Sequence, residues 1–181
     1  VNVPNKKKLF IKKIKTPLLG DHNVKNSVAA VAVALTVGIS ITDIKKRLLN
    51  FTGVQRRFNK IFTYNEIDFY DDYAHHPTEI KVVLEGVNKV YEGYDKVCIF
   101  QPHRISRLKD LRKEFSFAFQ KADTVVLCPI YTAGEKIKLG FSYLNFAKEI
   151  IKNSKVRLFL VNNNNQLGIF LKKNMYGKKI V

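Results

Sequence analysis

Asp71-Asp72-Tyr73-Ala74-His75-His76-Pro77-Thr78-Glu79 is the stretch on which the reading of this chain turns. It follows the alternating run Glu66-Ile67-Asp68-Phe69-Tyr70 and precedes a helix-like segment from Ile80 to Tyr91. An aspartate pair, a phenol, two imidazoles and a hydroxyl therefore stand where a strand ends and turns at a proline into a helix. In open α/β folds that junction lies on the carboxyl edge of the sheet, where sites are built. Such a concentration of titratable groups marks it as a candidate site.

Working outward, the rhythm is strand and helix in alternation. Two strands, 58–64 and 66–72, are joined tightly enough to pair antiparallel. Then come a helix over 77–93, a strand over 95–100, a helix over 106–121, a strand over 123–128, a helix over 142–153, a strand over 156–161 and a helix over 165–173. A last strand begins near Lys178. The first helix carries Ile80, Val83, Leu84, Val87 and Tyr91 as its buried stripe, the second Leu108, Leu111, Phe115, Ala118 and Ala122. This pattern predicts a Rossmann-like, doubly wound, mostly parallel sheet.

Upstream the pattern is different. Leu9 to Lys15 reads as a strand and Pro17-Leu18-Leu19-Gly20 as a turn. A helix follows, with Val24, Val28, Val31, Ala32 and Leu35 at helical spacing and Gly38 closing it at the C′ position. Thr42 or Asp43 caps a second helix with Ile44, Leu48 and Leu49 on one face, and Phe51 to Arg57 reads as a linker. One strand and two helices do not bury a two-sided core. Residues 1–55 are therefore expected to be the tail of a domain that begins elsewhere, and 56–181 a second domain.

The 181 residues carry 32 Lys and Arg against 15 Asp and Glu, a formal net charge of +17. That excess suits nucleic acid, an anionic membrane surface or phosphate-bearing small molecules. The lysines are scattered, however, without a basic-aromatic repeat or a nucleic-acid motif, so neither nucleic acid nor membrane is expected as partner. Cys98 and Cys128 sit in apolar runs without CxxC spacing, which points to free thiols in a reducing compartment. No apolar stretch reaches the roughly 20 residues that span a bilayer, and the N-terminus does not read as a signal peptide. The expected location is the cytoplasm.

The carboxyl ends of three strands would meet in one crevice of a parallel sheet. They present Asp71 to His76, then Gln101-Pro102-His103-Arg104 with Arg107 one helical turn later, then Tyr131-Thr132-Ala133-Gly134-Glu135. Carboxylates there can hold Mg²⁺ or ribose hydroxyls, paired arginines a carboxylate or phosphate, and histidines can move protons. Adjacent histidines with no further ligand in range do not make a zinc site, and no metal ligand is assigned.

Five motifs in series now carry a resemblance: Gly20-Asp21-His22-Asn23-Val24-Lys25-Asn26, Gly53-Val54-Gln55-Arg56-Arg57-Phe58, the run from Asp71 to Glu79, Gln101-Pro102-His103-Arg104-Ile105-Ser106-Arg107, and Tyr131 to Glu135. Together, over nearly the whole chain, they resemble the Mur ligases. The resemblance implies an ATP-dependent, Mg²⁺-assisted ligase of peptidoglycan precursor synthesis, with 1–55 the end of its central ATPase domain and 56–181 its Rossmann-like C-terminal domain. Within the family it leans toward the branch that joins L-alanine to UDP-N-acetylmuramate through an acyl phosphate. The alternatives are the branch that recycles preformed peptides and, outside the enzymes, a basic nucleotide- or nucleic-acid-binding module.

Carried over by motif, Asn23 and Asn26 match the family's ATP-binding asparagines, with His22 beside them near the adenine. Arg57 and Asp72 match its other nucleotide contacts. Tyr73, His75, His103, Arg104 and Arg107 match positions that face the incoming amino acid. Asp72, His75 and Arg104 are the catalytic candidates. The chain departs from the family pattern in having no GxxxxGK[ST] phosphate loop. The missing N-terminal and central segments of the same polypeptide are thus the implied partners, and the chain is expected to stop inside its last strand and to be inactive alone.

Overall fold

The computed structural model describes residues 11–18, 20–135 and 141–181. The chain separates into two compact units, Val1–Gln55 and Arg56–Val181.

In the first unit, helix α1 (Asp21–Thr36) is followed by helix α2 (Ile41–Leu49). Gly38 at φ 88 ends α1 as expected. Its N–H donates to Leu35 O (3.2 Å) and the next N–H, of Ile39, to Ala34 O (2.9 Å), the paired bonds of a Schellman turn that only a residue tolerant of positive φ closes without strain. The cap of α2 is Ser40, not Thr42 or Asp43: Ser40 Oγ accepts from Asp43 N–H. Val31, Leu35 and Ile44 form a small core. Val24 and Val28 are exposed, as is Leu49 of α2, while Ser27 is buried. Two helices cover only a narrow face of α1, so the expected stripe narrows to Ser27, Val31 and Leu35. Residues 11–15 are not a strand. Leu9 and Phe10 of that expected strand, and Leu19 of the expected turn, lie outside the described residues.

The second unit is a six-stranded sheet. Its elements are β1 (Asn59–Tyr64), β2 (Ile67–Asp71), α3 (Pro77–Val90), β3 (Asp95–Phe100), α4 (Ile105–Asp110), α5 (Arg112–Phe117), β4 (Thr124–Leu127), α6 (Tyr143–Ser154), β5 (Arg157–Leu160), α7 (Asn164–Asn174) and β6 (Lys179–Ile180). The spatial order is β1-β2-β6-β3-β4-β5. β1 pairs antiparallel with β2, and the other pairings are parallel. Two helical layers cover the sheet. Ile80, Leu84, Leu108, Phe115, Phe119, Phe146 and Ile150 from α3 to α6 pack on one face with Val125 and Leu127. Phe170 and Met175 pack on the other with Ile67, Phe69, Val97 and Val126. β4 lies between β3 and β5 with its four residues buried, and accordingly it reads as an apolar run rather than an alternation.

The single helix expected over 106–121 is two short helices meeting at Leu111 (φ −111, ψ 26), and nothing in the sequence marks the break. Behind it Ser154 Oγ donates to Ser116 O (2.7 Å) and accepts from Phe119 N–H (3.2 Å), tying the end of α5 to α6. The chain runs β3, β4, β5 in one direction and then returns to place β6 on the other side of β3. That reversal creates a crevice beyond the carboxyl ends of the strands, the position where open α/β sheets bind ligands.

Candidate functional site

The turn after β2 is built almost wholly from its own residues. Asp72 Oδ1 accepts from Ala74 N–H (2.7 Å). His76 caps α3, its Nδ1 accepting from Thr78 N–H (3.3 Å), and Pro77 follows as the first helical residue. Glu79 reaches back to accept from His75 N–H (3.0 Å) and His76 N–H (3.2 Å), the return half of a capping box. Burial alone would raise the Glu79 carboxyl, but those two N–H bonds, with His75 and Arg57 nearby, hold it below the usual carboxylate range. His76 is thereby occupied as a cap. His75 is not: its Nδ1 lies 2.9 Å from Tyr73 O, which fixes Nδ1 as the protonated nitrogen of the neutral ring and leaves Nε2 as the ring's acceptor.

The turns after β3 and β4 hold each other instead. Arg104 N–H donates to Tyr131 O (2.9 Å) and Tyr131 N–H to Pro102 O (2.8 Å), with a parallel bridge between His103 and Tyr131. Glu135 accepts from Ser106 N–H (3.0 Å) and Ser106 Oγ (2.6 Å), which lowers its pKa. Arg104 is the residue before α4, at φ 70 and ψ 128. A side chain in that region costs about 1–3 kcal/mol of backbone strain. Ala133 (φ 52) and Gly134 (φ 85) lie across from it, so two non-glycine residues at positive φ collect at one edge.

The two kinds of turn meet over the sheet. Tyr73 and His75 contact edge to face at 5.0 Å between ring centroids, His75 and His103 stand at 6.2 Å, and His103 and Tyr131 at 5.2 Å. Arg107 is half-buried and turns back so that Nη1 donates to His103 O (3.4 Å). Partial burial, then the Arg107 and Arg104 guanidiniums and His75, depress the His103 pKa, and Glu135 opposes them. His103 is therefore held neutral at pH 7.

Tyr73, His75, His103, Arg104 and Arg107 thus belong to one edge, as their sequence positions suggested. Asp72 is at the same edge, tied into the turn, and Arg57 is an exposed residue whose N–H donates to Asn59 Oδ1. Asn23 and Asn26 lie in the first two turns of α1, in the other unit, and the side chain of His22 is outside the described residues. Tyr131 and Glu135 received no role from sequence. Their place in the run was visible, but the clasp to residues 102–106 depends on partners 29 positions apart. Arg56, also missed, lies 4.7 Å over the Tyr73 ring.

A βαβ sheet whose switch-point crevice is lined by histidines and arginines places the chain in a class, and comparison with known proteins agrees: residues 56–167 match the model for the Mur ligase, glutamate ligase domain. The chain belongs to the Mur ligase family. It is 67% identical over all 181 residues to the UDP-N-acetylmuramate–L-alanine ligase of Pelagibacter ubique, spanning 39% of that relative's length. It is 48% identical over 126 residues to the ligase of the same name from Brachyspira hyodysenteriae, covering 70% of this chain and 27% of that one. Among solved structures, the UDP-N-acetylmuramate–alanine ligase of Thermotoga maritima superposes with a TM-score of 0.72 at 29% identity, covering 93% of this chain and 35% of that one.

Proposed function

We propose that this chain supplies the amino-acid-delivering part of a ligase that joins L-alanine to UDP-N-acetylmuramate at the expense of ATP. Residues 1–55 are read as the end of the central nucleotide-binding domain and 56–181 as the C-terminal domain. The observation that carries the reading is the convergence of Tyr73, His75 and His103 with Arg104 and Arg107 at one carboxyl edge. The high identity to a named alanine ligase supports the choice of branch.

The chemistry asks two things of this edge. The amino acid must be held by its carboxylate so that its amine faces the activated carbonyl, and its ammonium must lose a proton before it attacks. Guanidiniums suit the first task, because their planar fork matches a carboxylate. His75 suits the second: with Nδ1–H committed to Tyr73 O, Nε2 is left to accept the proton. ATP supplies the phosphoryl group that turns the muramyl carboxylate into an acyl phosphate with a leaving group. By motif, Asn23 and Asn26 with His22 in the first unit, and Arg57 and Asp72 in the second, are each read as nucleotide contacts. Among the described residues no cluster of three or more His, Cys, Asp or Glu is placed to hold a metal, so no step here is assigned to Mg²⁺. None of the described helices is long and apolar enough to cross a membrane, and the soluble nucleotide substrates favour the cytoplasm.

The test is a hybrid enzyme in which these 181 residues replace their counterpart in the Pelagibacter ubique relative. ATP-dependent addition of L-alanine is the expected result. Acceptance of a preformed peptide in place of L-alanine would move the assignment to the recycling branch, and salt-sensitive binding of random DNA by the chain, without ligation by the hybrid, would favour a nucleic-acid module. In the hybrid, Arg107→Lys is expected to raise KM for L-alanine by an amount equivalent to about 1.5–3 kcal/mol and to leave ATP affinity unchanged. The reverse pattern would make the arginines phosphate ligands.

A further inference from the structure

Arg56 opens the second unit and meets the turn after β2 through both its main chain and its side chain. Its carbonyl accepts from Tyr73 N–H (2.8 Å), and its guanidinium lies 4.7 Å from the centroid of the Tyr73 ring. Arg56 Nε also stands 3.4 Å from Asp71 Oδ2. An exposed ion pair of this kind contributes little stability, but it aims the guanidinium along the end of β2 and across Tyr73. Arg56 itself is at φ 58, a left-handed conformation that strains a residue with a side chain and that glycine adopts freely. The arginine is thus held against its backbone preference, with its side chain on Asp71 and Tyr73.

Tyr73 in turn holds His75. Tyr73 O lies 2.9 Å from His75 Nδ1, and the two rings meet edge to face at 5.0 Å. The Tyr73 ring therefore stands between a guanidinium and an imidazole, and its main chain is bonded on both sides, N–H to Arg56 and C=O to His75. Tyr73 is exposed, so its ring takes its orientation from these few contacts rather than from a packed core. A rotation that swings Tyr73 away from Arg56 carries Tyr73 O away from Nδ1, and the neutral imidazole can then place its proton on either nitrogen.

We propose that Arg56 is a positioning residue for His75 and acts through Tyr73. By holding Tyr73 O against Nδ1, it keeps the proton of the neutral ring on Nδ1 and leaves Nε2 as the acceptor. The proposal rests on the reading of His75 as the group that takes the ammonium proton, and it adds a residue that sets which nitrogen does so.

The experiment uses Arg56→Gly, which removes the guanidinium but suits φ 58, so the variant is expected to melt no lower than the parent. In the 181-residue chain, at a pH where the ring is neutral, ring-nitrogen NMR shifts should show His75 mainly as the Nδ1–H tautomer. Arg56→Gly should move it toward the Nε2–H form, and Arg56→Lys, which keeps a cation for the ring, should restore most of the bias. Combined with Tyr73→Ala, Arg56→Gly should shift the tautomer no further than Tyr73→Ala alone, since Arg56 acts through that residue. Should the glycine loosen the turn, Arg56→Gln gives the same readout without a glycine in the backbone. In the hybrid ligase Arg56→Gly should lower kcat about two- to fivefold, the size of an exposed cation–π contact, and leave KM for ATP unchanged. An unchanged tautomer in Arg56→Gly overturns the proposal, as does an additive shift in the double variant. The tautomer is read without turnover, so a hybrid that fails to ligate counts against the function proposed above and leaves the role of Arg56 to be decided by the ring nitrogens.

Discussion

The turn after β2 and the paired turns after β3 and β4 sit at the same edge of the same sheet and are built in opposite ways. From Asp72 to Glu79 the side-chain bonds that shape the turn connect residues two to four positions apart, with Tyr73 N–H to Arg56 O (2.8 Å) a longer-range backbone bond, so the turn largely specifies its own conformation. From Pro102 to Ser106 and from Tyr131 to Glu135, each segment depends on the other across 27 to 29 positions, and Arg104 carries a strained backbone whose N–H is held by Tyr131. The first edge is rigid from local chemistry. The second is a clasp, and its geometry rests on contacts that form only when the sheet has formed. Proteins put strain where function requires an arrangement that local preference would not adopt.

The largest expected effect breaks the self-contained turn. Glu79→Ala removes the acceptor of two partly buried N–H groups and should destabilise the second unit by about 1–3 kcal/mol, read from chemical denaturation. Amide exchange should rise in residues 72–79 and stay unchanged in 131–135. A rise in both would mean that the two regions are one cooperative piece. The same carboxylate sets a pH limit. Its folded pKa lies below the ordinary 4.5, so the unfolded chain takes up the proton first, and the contribution of Glu79, full at neutral pH, is lost as pH falls from about 4.5 through the lower folded value. Glu79→Ala should flatten that part of the stability profile.

A second substitution tests the clasp with the opposite sign. Arg104→Gly removes the cost of a side chain at φ 70, partly offset by the freer unfolded chain, and should stabilise the unit by about 1 kcal/mol in thermal melts. In the hybrid ligase it should weaken L-alanine binding. A loss of stability would show that the Arg104 side chain holds more than it strains. The third change is smaller: His76→Ala removes the cap of α3 and should cost about 0.5–1 kcal/mol, with His76→Asn restoring it. If His76→Asn fails to restore stability, the ring does more than cap.

How much of this was legible in the sequence follows the same division. The strand before Asp71, the proline start of α3 and the clustering of Tyr73, His75 and His103 were readable, because period, turn chemistry and strand ends are local. Gly38 as the helix stop was readable for the same reason. Ser40 was passed over for Thr42 or Asp43, although Ser40 with Asp43 three positions later is a local cap signal. The placement of β6 between β2 and β3 was not readable, since sequence order says nothing of which strands become neighbours across a crossover. Nor was the exposure of Val24 and Val28, which follows from how little of α1 its neighbour covers. The role of Glu135 and the positive φ of Arg104 belong to the long-range clasp, and they stayed hidden until both segments could be seen together.

The finest test asks whether the clasp tunes the histidine beside it. Glu135 is the one group that raises the His103 pKa, against burial, Arg107, Arg104 and His75, which lower it in that order. Glu135→Gln keeps the size and one acceptor for Ser106 but removes the charge. The His103 ring should then titrate at a lower pH than in the parent chain, followed by its ring proton shifts in NMR. Stability should respond with a definite sign. The folded His103 already resists protonation relative to the unfolded chain, whose ordinary value is near 6.5, so its contribution is present above that pH and is lost as pH falls through the folded value. Glu135→Gln widens the gap and should steepen the fall in stability below about pH 6.5. If the titration of His103 does not move, the charge of Glu135 does not reach the ring, and the clasp shapes this edge without tuning its electrostatics.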